Sequence, residues 1–319
     1  MKGKISFSAK NRHITFRLEL ERNVTVITGD SGTGKTKLIN MVRAYSLEGK
    51  NSGVTIRCDR PCVVLEGVNW LYQLENIKSS VVFIEESTKF VPTHEFAEAV
   101  RNTDNYYVLI TREDLPQISY SVDSIKKIVK NDRLPKIEKI YGNVGIKDIT
   151  KKKYDLIITE DSKSGYIFFT KAAQKLNAEC VSAFGKSNIV NTLEKCDGQN
   201  ILIIADAAAF GSEIRELIRF INASNKTVDL FLPESFEWLI LKSEIFDNND
   251  NVRQILKAPI DFIESGEYFS WERFFTDLLV NETKDRPNLS YSASKNRLPS
   301  GYLTDKNVDG IINAMTDNK

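Results

Sequence analysis

The chain has 319 residues, 41% of them apolar and 27% charged, with a net charge of +1. Near-neutrality excludes a nucleic-acid binder that works by bulk electrostatics, although it leaves room for a local basic surface. Four cysteines at irregular spacing, with only His13 and His94 as nitrogen donors, point to buried or incidental thiols in preference to a disulfide framework or a zinc site, and no run approaches the roughly 20 apolar residues of a membrane span.

In chain order, residues 5–7 and 14–18 alternate apolar and polar positions and are predicted as antiparallel strands. Val24-Thr25-Val26-Ile27 is a β-branched strand that runs into Gly29-Asp30-Ser31-Gly32-Thr33-Gly34-Lys35-Thr36, a complete G-x-x-x-x-G-K-[ST] phosphate-binding loop. A helix is expected from about Lys35, because apolar residues recur after it at helical spacing. The glycines let successive backbone N–H groups converge on phosphate oxygens, and the helix start adds its positive dipole end. Lys35 is then placed to reach the β- and γ-phosphates, and Thr36 to hold Mg²⁺.

Further strands are expected over 54–56, 62–65, 81–84 and 106–110, with an amphipathic helix over 93–101, which is the rhythm of a wound parallel sheet. The strand over 81–84 ends on Glu85-Glu86. A carboxylate at such an end can hold the Mg²⁺ shell, and the next can orient or deprotonate an attacking water, which makes Glu85 the metal candidate and Glu86 the catalytic one. Arg112, after the strand over 106–110, is placed to face the γ-phosphate or to pair with a neighbouring acid. Residues 1–135 resemble the core of the ABC- and AAA-type ATPases, with Glu85 where Asp is usual. No Leu-Ser-Gly-Gly-like signature occurs, and the interval 37–80 leaves no room for the helical subdomain of a transporter ATPase.

A polar stretch with three consecutive lysines, 141–153, is predicted as a linker between a nucleotide-binding domain (1–140) and a second α/β domain (154–250). In the second, apolar strands ending on Glu160 and on Asp206 alternate with helices predicted over 165–176, 189–194, 212–221 and 234–242. Parallel strands align their carboxyl ends, so Glu160 and Asp206 are expected over one crevice, where two carboxylates can bind Mg²⁺. Residues 153–245 resemble a Toprim domain, on Ile158-Thr159-Glu160, on 184–189, and on Ile203-Ile204-Ala205-Asp206. That resemblance implies Glu160 as general acid or base and an Asp-x-Asp metal pair. Here the second Asp is replaced, in Asp206-Ala207-Ala208, unless Glu213 or Glu237 substitutes.

The remainder, 251–319, is predicted as a C-terminal segment. Trp271, Phe274 and Leu278 fall on one buried helical face, and from 288 onward a loosely ordered tail leads to a short helix at 307–315. The fold class is therefore α/β, with two wound, mostly parallel sheets. The combined layout resembles that of the OLD-type ATPase–nucleases, some of which act in phage or mobile-element defence.

Three readings follow: an ATPase whose nucleotide cycle regulates a Toprim-like module engaging nucleic acid or a partner protein; an ATP-gated Mg²⁺-dependent nuclease; and a nucleotide-sensing scaffold. ATP and Mg²⁺ are the expected cofactors. The chain carries no arginine finger of its own, so a homo-oligomer or partner chain is expected to complete the ATP site. The amino terminus lacks the apolar core of a signal peptide, which together with the unpaired cysteines implies a cytoplasmic location.

Overall fold

A computed structural model of the chain describes residues 2–86, 88–130, 133–142, 144–146, 148–246 and 249–316. It is an α/β protein that divides into two units, Met1–Gly142 with Pro259–Phe269, and Asn143–Ala258 with Ser270–Lys319. Among the described residues no helix is long and apolar enough to cross a membrane.

The first unit opens with β1 (Ile5–Lys10) and β2 (Thr15–Leu20), which pair antiparallel with Phe7 opposite Leu18 and Ala9 opposite Phe16. Their period-two pattern buries one face only. Next come β3 (Val24–Thr28), α1 (Lys35–Glu48), β4 (Thr55–Arg57), β5 (Cys62–Val64), α2 (Trp70–Asn76), β6 (Val81–Ile84), α3 (His94–Arg101), β7 (Tyr106–Ile110), β8 (Ile125–Val129) and β9 (Lys136–Lys139). β4 joins β1 and β2 in a three-stranded sheet, and the others form a six-stranded sheet in the order β5-β6-β7-β3-β8-β9. All its neighbours are parallel except β8 and β9.

One apolar core joins the two sheets to α1: Phe7, Phe16 and Leu18 pack with Leu38, Ile39 and Val42 and with Val81 and Phe83. Strands β3, β6 and β7 are buried along their whole length, as parallel strands covered on both faces must be, hence their unbroken apolar runs. Thr93 caps α3 by accepting the Phe96 N–H at 3.2 Å. Registers of Ile27 with Ile110 and of Ile84 with Leu109 bring the carboxyl ends of β3, β7 and β6 level.

The second unit contains β10 (Leu156–Thr159), α4 (Ser164–Leu176), β11 (Glu179–Ser182), α5 (Ile189–Lys195), β12 (Asn200–Ile204), α6 (Ile214–Ala223), β13 (Thr227–Phe231), α7 (Phe236–Lys242), α8 (Asp250–Lys257), α9 (Trp271–Thr283) and α10 (Asp305–Ala314). Its sheet is fully parallel, in the order β11-β10-β12-β13. The central strands β10 and β12 are therefore neighbours, with Thr159 level with Ile204.

Several expectations are corrected. The stretch 141–153 is not a free linker: Ile149 is buried, the Ile146 N–H donates to the Leu230 carbonyl at 2.7 Å, and Lys152 pairs with Asp229 at 2.7 Å. Asn143 and Lys147 of that stretch lie outside the described residues. Within the C-terminal segment, 259–269 belongs to the first unit, where Ser265 accepts from the Asn23 amide at 3.0 Å and donates to the Tyr106 hydroxyl at 2.9 Å. The face that α9 buries is Phe275, Thr276, Leu279 and Thr283 rather than Phe274 and Leu278. The tail after 288 is tied down through buried Tyr291 and Tyr302, whose hydroxyl donates to the Leu289 carbonyl at 2.7 Å.

Candidate functional site

In the first unit the glycine loop joins the end of β3 to the start of α1. Gly29, Gly32 and Gly34 have φ of 120°, 77° and 105°, left-handed values that glycine adopts without strain. A side chain at Gly34 would in addition stand 3.3 Å from the Phe16 ring, while a Cβ at Gly32 would meet nothing within 4 Å, so the loop backbone there faces open space. Lys35 begins α1, is only 5% exposed, and donates its ammonium to the carbonyls of Gly29 and, at 2.8 Å, Asp30. Burial lowers its pKa below the ordinary lysine value, with Glu86 pulling the other way and Arg112 adding to the drop. Thr36, one residue on, is exposed.

Three elements converge beside the loop. Arg112, past the end of β7, donates Nη2 to the Ser31 hydroxyl at 2.9 Å and pairs through Nε with Glu86 at 2.9 Å. It thus links the loop to the acid at the end of β6, which β7 alone separates from β3. Glu85 and Glu86 line a cavity of about 610 Å³ with Thr111, Arg112 and Lys89. Glu85 is turned to a residue the sequence reading missed: Arg43 of α1, which holds Glu85 at 2.9 Å and Glu66 at 2.7 Å. Hydrogen bonds to Glu66 and then Glu85 raise the Arg43 pKa further. The only sequence signal for Arg43 was its place two helical turns after Lys35.

In the second unit Glu160 and Asp206 follow β10 and β12 and meet as the topology requires: the Asp206 N–H donates to Glu160 Oε2 at 3.1 Å. They line a cavity of about 250 Å³ with Asp161, Glu237, Glu272 and Lys295. Of the two acids considered as substitutes for the missing Asp, Glu237 lies here, whereas Glu213 pairs with Lys186 at 3.3 Å. Asp161 turns the chain into α4 by accepting the N–H groups of Lys163 at 2.8 Å and Gly165 at 2.7 Å. Gly165 is needed there, because a Cβ would stand 2.8 Å from the Asp161 carboxylate. Phe184, 75% exposed and held at a φ of 58°, forms part of the wall. Such strain in a side-chain-bearing residue concentrates at functional sites.

Lys295 was not anticipated. Its ammonium lies 3.0 Å from Glu237 and 2.7 Å from Glu272, and the Tyr291 hydroxyl donates to Glu237 at 2.7 Å. Burial disfavours the Lys295 charge, but Glu237, Glu272 and Asp206 outweigh it and hold its pKa above the ordinary value. Burial, then the negative charge of Glu272, Glu160 and Glu237, pushes Asp206 well above the usual carboxylate range. Burial likewise raises Glu160 to about 7, against the opposing hydrogen bond from Asp206.

A carboxyl whose pKa rises on folding stabilises the fold fully below its unfolded value, here 4.5, and that contribution is lost as pH rises through about 7. Replacing Glu160 by glutamine is therefore expected to flatten the fall in stability between pH 5 and pH 8 by roughly 2–3 kcal/mol. Asp206 leaves a residual slope of the same sign. Hydrogen exchange of the β10 and β12 amides in the two proteins, corrected for the intrinsic pH dependence of exchange, checks this across that range, and an unchanged pH profile in the variant would contradict it.

Among the described residues, no group of three or more histidine, cysteine, aspartate or glutamate side chains is arranged to hold a metal ion. Of the expected metal residues, Glu160 and Asp206 are together, and Glu85 faces Arg43. No family model matches the chain, and neither does any curated protein.

Proposed function

We propose that this chain is a Mg²⁺-dependent ATP-binding protein and ATPase whose nucleotide cycle regulates its second unit, a Toprim-like module that engages nucleic acid or a partner protein. The observation that carries the reading is the convergence of Lys35, Ser31, Arg112 and Glu86 at one end of a parallel sheet, in front of a loop whose glycines take left-handed conformations. Backbone N–H groups of such a loop and the first turn of the following helix bind phosphate oxygens. Lys35 exchanges the Gly29 and Asp30 carbonyls for β- and γ-phosphate oxygens, and Arg112 exchanges Ser31 for the γ-phosphate. Glu86, beside Arg112 at the end of β6, is the residue that would orient the attacking water. Thr36 and Glu85 are the residues that would hold Mg²⁺, which supplies charge neutralisation on the phosphates when bound.

The test is a titration with a fluorescent ATP analogue in Mg²⁺. Saturable binding displaced by ATP is expected, and absence of saturation overturns the proposal. Replacing Glu86 by glutamine should keep that binding while lowering turnover by roughly 10²–10⁴-fold, the range for loss of a general base. Equal turnover in the variant removes Glu86 from its assigned role.

A further inference from the structure

Two acids of the second unit, Glu237 and Glu272, meet at one ammonium, that of Lys295. Glu237 is 1% exposed; its Oε1 accepts from Tyr291 at 2.7 Å and faces Lys295 at 3.0 Å, while its Oε2 is buried with no hydrogen-bond partner among the described residues. A carboxylate so placed is strongly unfavourable unless a positive charge compensates it. Lys295 is delivered by a segment fixed at several points. The Lys295 carbonyl accepts the Ser164 N–H at 2.9 Å, the Tyr291 N–H donates to Thr283 Oγ1 at 3.0 Å, and the hydroxyls of Tyr291 and Ser164 lie 2.6 Å apart. Lys295 itself has a φ of 58°, a conformation that a residue with a side chain keeps only where its surroundings over-determine it.

We propose that Lys295 is the resident cation of this site: its ammonium sits between Glu237 and Glu272 where a divalent ion would otherwise bind, and it excludes Mg²⁺ and Mn²⁺ while it is there. The donor set agrees. A hard dication needs several carboxylate oxygens at once, yet Glu237 and Glu272 are engaged by the ammonium and Ala207-Ala208 add no side-chain oxygen. An ammonium group organises carboxylates but does not polarise bound water as a metal does. The site therefore does not cleave phosphodiesters by metal-activated water while Lys295 occupies it. The inference rests on the Toprim-like reading only in expecting a metal at this edge at all.

Mn²⁺ binding to the full nucleotide-free chain, followed by electron paramagnetic resonance of the free ion, separates the two ideas. Replacing Lys295 by methionine is expected to add a Mn²⁺ site at least about 10-fold tighter than any in the unaltered protein, and Lys295→Arg is expected to add none. If the unaltered protein already binds Mn²⁺ in a manner lost in Glu160→Gln, Lys295 is not the resident cation, while the reading of the edge as a metal site stands. If neither the unaltered protein nor Lys295→Met binds, both ideas fail. Should Lys295→Met not fold, as judged by near-ultraviolet circular dichroism, Lys295→Gln, which removes the charge and keeps every carboxylate of the site, undergoes the same titration with the same expected gain.

Discussion

Replacing Lys35 by alanine is expected to lower ATP turnover by roughly 10²–10³-fold, the cost of deleting one preorganised charge aimed at a developing charge in the transition state. Three observations set that size. Lys35 is only 5% exposed and its ammonium already rests on two carbonyls, so exchanging these for phosphate oxygens adds little dehydration penalty. Its side chain is already held across the loop by the Gly29 and Asp30 carbonyls, so little conformational entropy is lost on binding. Glu86 and Asp30 stand close enough to support its charge against burial. Lys35→Arg is expected to fail as well, since a planar guanidinium does not enter a buried place shaped for a compact ammonium. The exposed neighbour Lys37 serves as the control, and its alanine variant should turn over ATP as the unaltered protein does. Turnover in Lys35→Ala equal to that of the unaltered protein would remove the loop from the chemistry.

What the sequence made legible was local. The run from Val24 to Thr36 encodes strand, turn and helix within a short window, and the structure places each where the pattern predicts. Acidic residues after buried runs were equally readable, because a strand covered on both faces must end before its first charge. The elements missed are those decided by distant partners. Strand β8 contains Lys126-Lys127 and so lacks an apolar run, yet Lys126 is 7% exposed because its ammonium reaches the Glu19 carbonyl on β2. Strand β9, lysine-rich at the sheet's edge, looks like a loop for the reason that edges are kept polar. In α9 the pairs Phe274–Leu278 and Phe275–Leu279 have the same spacing. The second pair is the buried one, and it shares its face with Thr276 and Thr283, polar residues that local pattern assigns elsewhere but that satisfy their hydroxyls on the Glu272 and Leu279 carbonyls, at 2.9 and 2.7 Å. Composition likewise made 288–299 look like a tail, and nothing local to that stretch says that Lys295 meets Glu237 and Glu272.

The pair that composition concealed also carries the larger stability effect. Lys295→Met is expected to destabilise the second unit by about 3–5 kcal/mol, because it leaves a buried carboxylate without its cation. Glu237→Gln is expected to cost less, about 1–2 kcal/mol, since Lys295 keeps Glu272, whose side chain is 34% exposed and better hydrated. The double variant should be more stable than Lys295→Met alone: with the charge gone from Glu237, the amide still accepts from Tyr291 and no stranded anion remains. Such a recovery is a coupling between the two positions and not the sum of two separate losses. Hydrogen exchange of the β10 and β12 amides reports it on the right unit, where a urea midpoint of a chain with two units mixes both transitions. A double variant no better than Lys295→Met would show that Lys295 contributes packing and not charge. The resident-cation inference adds a second signature. Mn²⁺ should restore protection in Lys295→Met by binding the folded state alone, and should leave the unaltered protein unmoved, because there the place is taken.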